Sequence, residues 1–112
     1  MKVADYVNQG LKNLVDDEPG GYESSGKCTQ GCHSVTVFLK KQGDKIVDCK
    51  FKATKRCKKL LAVTDYMCEL VKKNGQVPKP DEILSNFGEE KEKDKMENRV
   101  SIALTALESA LA

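Results

Sequence analysis

The 112-residue chain has no long hydrophobic run: its longest uninterrupted apolar stretch is Leu60-Leu61-Ala62-Val63, far from the roughly 20 residues of a membrane-spanning helix. Aromatic residues are scarce, three Phe and three Tyr, which leaves little from which to build a base-stacking platform for nucleic acid. The single histidine is His33, there is no Cys-x-x-Cys, and no Ser-His-Asp or paired-carboxylate arrangement can be assembled, so neither a hydrolase nor a thiol oxidoreductase is indicated. No apolar stretch follows Met1-Lys2-Val3-Ala4-Asp5-Tyr6, which argues against a secretory signal and leads to the expectation of a cytoplasmic address. A single domain spanning residues 1–112, with a modest and mainly aliphatic core, is the organisation these absences allow.

What the chain does have is charge and sulfur. Charged residues make up 32% of it, and five cysteines are present. An odd number of thiols at this density is no disulfide scaffold; in a reducing compartment such residues serve as metal ligands, reactive groups or buried packing. The net charge is only +2, but nine basic residues fall between Lys40 and Lys59 against Asp44 and Asp48, leaving the rest of the chain acidic. Such a band can meet nucleic acid or an acidic protein, can favour thiolates lying within it, or can simply be a solvated surface.

Val3, Val7, Leu11, Leu14 and Val15 recur at helical spacing and predict a first helix over Val3–Val15. Pro19-Gly20-Gly21 breaks it, and Ser24, Ser25, Gly26 and Gly31 suggest a long loop or a short irregular strand up to the first cysteines. Ser34–Lys40 and Lys45–Ala53 are rich in β-branched and aromatic residues and flank Gly43-Asp44, a hairpin signature. In the second strand, Val47, Cys49, Phe51 and Ala53 share one face by alternation, so Cys49 reads as a core residue. From Thr54, a potential cap, Cys57, Leu61, Thr64 and Cys68 form a helical stripe running to about Lys73 and ending at Asn74-Gly75. A short helix is expected from Pro80 to Asn86, and a last one carrying Val100, Ala103, Leu104, Leu107 and Leu111 on one face. The order helix, hairpin, three helices predicts an α+β fold with helices packed on one face of a small antiparallel sheet.

A two-residue turn at Gly43-Asp44 pairs Gln42 with Lys45 and, carried back along the strands, sets Cys32 opposite Lys55, close to Cys57. Cys57 then lies near a helix N-terminus among Lys55, Arg56, Lys58 and Lys59, surroundings that favour a thiolate. Cys68 is eleven residues farther along the helix, about 16 Å away, and Cys49 is eight residues back along a strand, roughly 26 Å if extended. Both read as packing thiols. Cys28 precedes Cys32 by four residues, and a turn at Gly31 offers a way to fold it onto the same site. His33 is a further candidate donor, although a residue beside a ligand cysteine on an alternating strand normally faces the other way and is then a bystander. Two or three thiolates, with at most one histidine and no clear fourth ligand, differ from a closed structural zinc site and suggest exchange.

Gly31-Cys32, the strand pair, Ile46-Val47-Asp48-Cys49-Lys50-Phe51-Lys52-Ala53-Thr54-Lys55-Arg56-Cys57 and the following helix with Glu69-Leu70-Val71-Lys72 together resemble the IscU-type (NifU N-terminal) iron-sulfur cluster scaffolds. In that family the stretch reads Ala-Cys-Gly-Asp, a hairpin, Phe-Lys-x-x-Gly-Cys and a helix. The similarity covers Gly31–Lys73, with a weaker echo in Asn98–Leu111, where Arg-Val-Ser-Ile-Ala-Leu stands for the family's His-Cys-Ser-Ile-Leu-Ala. The resemblance implies a three-stranded sheet carrying helices, Cys32 and Cys57 in the places of the first two cluster cysteines, a cysteine desulfurase as sulfur donor and apoproteins as cluster acceptors. Three departures are evident. Ser34 replaces the family aspartate, Arg99 and Val100 replace the His-Cys pair, and Glu92–Asn98 occupies the place of the chaperone-recruiting Leu-Pro-Pro-Val-Lys.

The resulting expectation is a non-enzymatic scaffold or carrier that binds an iron-sulfur cluster or zinc through Cys28, Cys32 and Cys57, with Cys28 standing in for the third family cysteine and His33 as an accessory metal donor. Two other readings remain beside it: a zinc-stabilised protein-interaction domain without scaffold activity, and a basic nucleic-acid-binding module using Lys40–Lys59.

Overall fold

Alternation along residues 34–40 sends Val35, Val37 and Leu39 to one side of a strand and Ser34, Thr36, Phe38 and Lys40 to the other, and the two long helices pack on the first side. The computed structural model describes residues 1–112. In chain order its elements are α1 (Val3–Asn8), β1 (Ser24–Gln30), β2 (His33–Gln42), β3 (Lys45–Ala53), α2 (Lys58–Asn74), α3 (Pro80–Leu84), a 3-10 turn at Ser85–Phe87 and α4 (Lys93–Leu111). The strands form an antiparallel sheet in the order β1-β2-β3. α2 lies over β3, and α4 lies over β1 and β2, so the α+β class with helices on one sheet face is as the periodicity indicates. No helix is long and apolar enough to cross a membrane.

The core joins Val35, Val37, Leu39 and Phe51 of the sheet to Leu60, Val63 and Met67 of α2 and to Val100, Ala103 and Leu107 of α4. Gly26 allows the closest approach. A Cβ there would overlap the backbone of Ala106 and Ala110, so α4 can rest on β1 only because this position has no side chain.

Four expectations need correction. The first helix stops at Asn8 rather than Val15. Gly10, at φ 102°, and a turn at Lys12-Asn13 redirect the chain, and Leu14 then bridges Phe51 of β3 in parallel, with Val15 N–H donating to Phe51 O at 2.8 Å and Phe51 N–H to Asn13 O at 2.9 Å. Leu11 and Leu14 still pack on the core, which is why their spacing mimics a helix. This segment is pinned to α2: buried Asp65 accepts from Asn13 N–H at 2.8 Å and from Tyr6 OH at 2.7 Å, and Lys72 Nζ donates to Asn13 Oδ1 at 2.6 Å.

The stretch before Gly31 is a regular seven-residue strand. Its polar composition reflects its place at the sheet edge, where only Gly26 is fully buried. Val47 does not share the face of Cys49 and Phe51. The pairing shifts between Lys40 and Lys41, from Lys41↔Ile46 to Lys40↔Asp48, so Val47 is the extra residue of a bulge. It is 42% exposed while Ile46 is buried. Finally, α2 begins at Lys58 with Cys57, not Thr54, at its N-cap. The Thr54 hydroxyl is engaged elsewhere, accepting from Ser34 N–H at 2.9 Å and donating to Ser34 O at 3.2 Å.

Candidate cysteine site

The β1–β2 connection is a two-residue turn of Gly31 and Cys32, closed by the Gln30↔His33 pair. Gly31 adopts φ 61°, a conformation that costs glycine nothing. Cys32 is exposed at the tip. Cys28 lies on β1 opposite Val35, half-buried and packed against the core. The turn at Gly31 therefore exists, and it places Cys28 on the strand beneath the tip instead of beside Cys32. His33 is half-exposed at the start of β2.

Cys57 approaches from the other side. Past the bulge, paired positions carry the register to Val35↔Ala53, and the Ser34–Thr54 hydrogen bonds tie the start of β2 to the β3–α2 connection. Cys32 and Cys57 thus lie at the same end of the sheet. Cys57 caps the 17-residue α2 with extended backbone angles (φ −105°, ψ 100°), and its carbonyl accepts the first helical hydrogen bond, from Leu61 N–H at 3.1 Å. Its half-buried sulfur accepts a hydrogen bond from Arg99 Nε at 3.4 Å. Arg99 is held in turn by Asn98, whose Oδ1 accepts from Arg99 Nη1 at 2.6 Å and whose Nδ2 donates to Gln30 Oε1 at 2.7 Å. A continuous chain of contacts therefore links the cysteine-bearing hairpin, the start of α4 and the N-terminus of α2.

Cys57 opens onto a cleft of about 460 Å³ whose walls include Arg56, Lys58, Lys59, Lys95 and Arg99. Glu90 and Glu92 line it too, but they are engaged: Lys59 stands 4.0 Å from Glu90 and 3.4 Å from Glu92, and Lys95 is 2.7 Å from Glu92. Lys95 and Lys59 hold the Glu92 carboxyl below its ordinary range. Glu90 is held low as well, chiefly by the Val3 N–H that donates to it. Both remain ionised at neutral pH, and Arg56, Lys58 and Arg99 leave the cleft positive. With the partial positive charge of the α2 N-terminus, the cleft beside Cys57 suits an anion.

Cys49 and Cys68 are fully buried. No group of three or more His, Cys, Asp or Glu side chains is gathered closely enough to hold a metal ion, so Cys28, Cys32, Cys57 and His33 share one end of the molecule without forming a ready-made ligand cage. Arg99 was not singled out as a partner of Cys57 from the sequence. Its alignment with the histidine of the resembling scaffolds and its place next to the buried Val100 on the inward side of α4 are the signals the sequence offers, and neither tells which sulfur the guanidinium reaches.

No protein-family model and no curated protein matches the sequence. Solved structures do. The nitrogen-fixing NifU-like protein (N-terminal) of Brucella abortus superposes with a TM-score of 0.67 at 14% identity, over 97% of this chain and 88% of that one. The chain has the NifU N-terminal fold. A Fervidobacterium islandicum AW-1 protein, assigned provisionally as an iron-sulfur cluster assembly scaffold for the SUF system, matches with a TM-score of 0.58 at 22% identity over 98% and 93% of the two chains. A hypothetical protein matches with 0.64 at 17% over 97% and 93%. Coverage of nearly the whole chain extends the NifU-type likeness to the first thirty residues, where the sequence resemblance is poor.

Proposed function

We propose that the protein is an iron-sulfur cluster scaffold or carrier whose thiolates, Cys28, Cys32 and Cys57, take up a cluster or its metal as cargo. The observation that carries this reading is the setting of Cys57: a thiol at a helix N-terminus, hydrogen-bonded by Arg99 at 3.4 Å, facing a positive cleft at the end of a NifU-type sheet where Cys32 is exposed on a two-residue turn. A cluster bearing thiolate ligands is anionic, and fixed cations offset that charge. Arg99 supplies from α4 a hydrogen-bond donor where the resembling scaffolds carry histidine. The exposed tip lets Cys32 approach cargo and release it, whereas Cys57 is fixed by the helix it caps. Cys28, half-buried on β1, is the third thiolate of the proposal, and His33 an accessory donor. A cysteine desulfurase as sulfur donor and apoprotein acceptors are the partners that fit such a role, and the Lys40–Lys59 band offers them a positive docking surface. The site calls for no bond-making catalysis by the protein itself.

The nucleic-acid reading is less well supported. On the outer sheet face Lys27, Lys50 and Lys52 are interleaved with hydroxyls, Phe38 is 4% exposed and Tyr22 is half-buried against Lys40 and Asp48, so a single partly covered ring is all that this face offers to a base. The zinc-domain reading differs from the scaffold reading in what the metal would do, stabilising the fold rather than passing through. Anaerobic purification followed by iron, sulfide and zinc analysis and an absorption spectrum separates them. The proposal expects iron and sulfide in comparable amounts with visible charge-transfer bands. Zinc alone, with a melting temperature that collapses on chelation, would overturn it.

A further inference from the structure

Cys49 on β3 and Cys68 on α2 are both 0% exposed, yet their sulfurs face each other across the sheet–helix interface at 3.1 Å. That is about 1 Å more than a disulfide bond of ~2.05 Å. No other pair of the five free cysteines is in such contact. We propose that Cys49 and Cys68 form a dithiol that a low-molecular-weight disulfide converts to an intramolecular disulfide, a modification site separate from the cargo thiols.

Each sulfur reaches the contact from a fixed element. Cys49 sits between Ile46 and Phe51 on the inner side of β3, paired with Leu39. Cys68 lies on the buried stripe of α2 beside Met67 and Val71. The two sulfurs are already in contact at 3.1 Å, so the bond forms between atoms that are neighbours in the folded protein. The exchange runs in two steps. One cysteine thiolate attacks a sulfur of the small disulfide, forming a mixed disulfide and expelling the first small thiolate. The second cysteine, as its thiolate, attacks the protein sulfur of that mixed disulfide and expels the second. The protein loses two protons and two electrons, and the small disulfide leaves as two thiols. Burial pushes the Cys68 thiol up, and the neighbouring Cys49 and Asp65 act in the same direction. The closed core is therefore a poor place for the first attack, which occurs when α2 lifts from β3.

The bond would close the loop from residue 49 to residue 68, and Cys57 lies inside that loop. Oxidation thus ties together the two elements that present Cys57 without consuming it.

The test uses a variant carrying Cys28→Ser, Cys32→Ser and Cys57→Ser, refolded from urea with excess oxidised glutathione. The expected product has no titratable thiol, is two hydrogens lighter, yields one reductant-sensitive peptide pair joining Cys49 to Cys68, and melts on the order of 10 °C higher than its reduced form. Free thiols, stable glutathione adducts or a lowered melting temperature in the folded product would overturn the proposal. Should this variant fail to fold, the same peptide mapping on the natural chain decides. A dominant Cys49–Cys68 link supports the proposal, and pairing confined to Cys28, Cys32 and Cys57 refutes it. Because the readout is the bond and the melting temperature, failure of cargo loading leaves its outcome unaffected.

Discussion

Arg99 Nε donates to the Cys57 sulfur at 3.4 Å, across 42 residues of sequence, and this contact joins the first turns of α4 to the N-terminus of α2. A guanidinium in this place offsets the charge a sulfur acquires on ionising, and it keeps its position through Asn98 and Gln30. Arg99→Gln should therefore slow alkylation of Cys57 by iodoacetamide by roughly three- to tenfold at neutral pH, with Arg99→Lys between the two. Peptide-resolved labelling reads this directly, and equal rates in all three proteins would remove Arg99 from the site.

Gly26 is where α4 meets β1 most closely. Gly26→Ala has no space for its methyl group against the Ala106 and Ala110 backbone, and the helix must shift. A loss of about 3 kcal/mol or more in urea denaturation is expected, together with a weaker Arg99–Cys57 contact, seen as slower Cys57 labelling, because the same helix carries Arg99.

Glu69 gives a pH dependence with a definite sign. Burial opposes its ionisation, but hydrogen bonds from Lys72 and Asn13 outweigh that and hold its carboxyl below the ordinary value of 4.5. The Lys72 Nζ lies 2.6 Å from it. A carboxyl lowered in the folded state stabilises it fully above its unfolded value, and that stabilisation is lost as the pH falls through the folded value. The natural protein should exceed Glu69→Gln in stability at pH 7, and the gap should narrow toward pH 3 in urea titrations at both pH values. A gap that is constant with pH would contradict the network.

Cys28 has a test of its own. On β1, half-buried beneath the hairpin tip, it contributes to cargo only if the hairpin and Cys57 draw together on loading. Cys28→Ser is expected to lower metal affinity roughly tenfold or more in chelator competition. Unchanged affinity would reduce the site to Cys32 and Cys57.

The β2–β3 hairpin could be read from the sequence because β-branched alternation on both sides of Gly43-Asp44 leaves few alternatives, and α2 and α4 because their apolar stripes are long. The edge strand β1 reads only as a loop or a short irregular strand, since Gly26 alone is fully buried in it and it carries no hydrophobic pattern. The length of α1 is not legible for the opposite reason: Leu11 and Leu14 pack on the core from a non-helical turn and bridge, and periodicity records burial rather than backbone conformation. The bulge at Val47 moved one apolar residue outward without any proline or glycine to announce it. The shared end of Cys32 and Cys57 follows from local hairpin geometry. The Arg99 and Cys49–Cys68 contacts depend on how whole helices dock on the sheet, and spacing along one element carries no such information.

In the proposed role Cys57 holds iron-sulfur cargo at the N-terminus of α2. Anaerobic reconstitution with ferrous iron and sulfide, comparing the natural chain with Cys57→Ala for bound iron, sulfide and visible absorption, tests it most directly. Stoichiometric iron and sulfide with charge-transfer bands are expected in the natural chain and their loss in Cys57→Ala, with the circular dichroism of the two proteins alike. Full occupancy in Cys57→Ala, or no cluster in the natural chain, would contradict it.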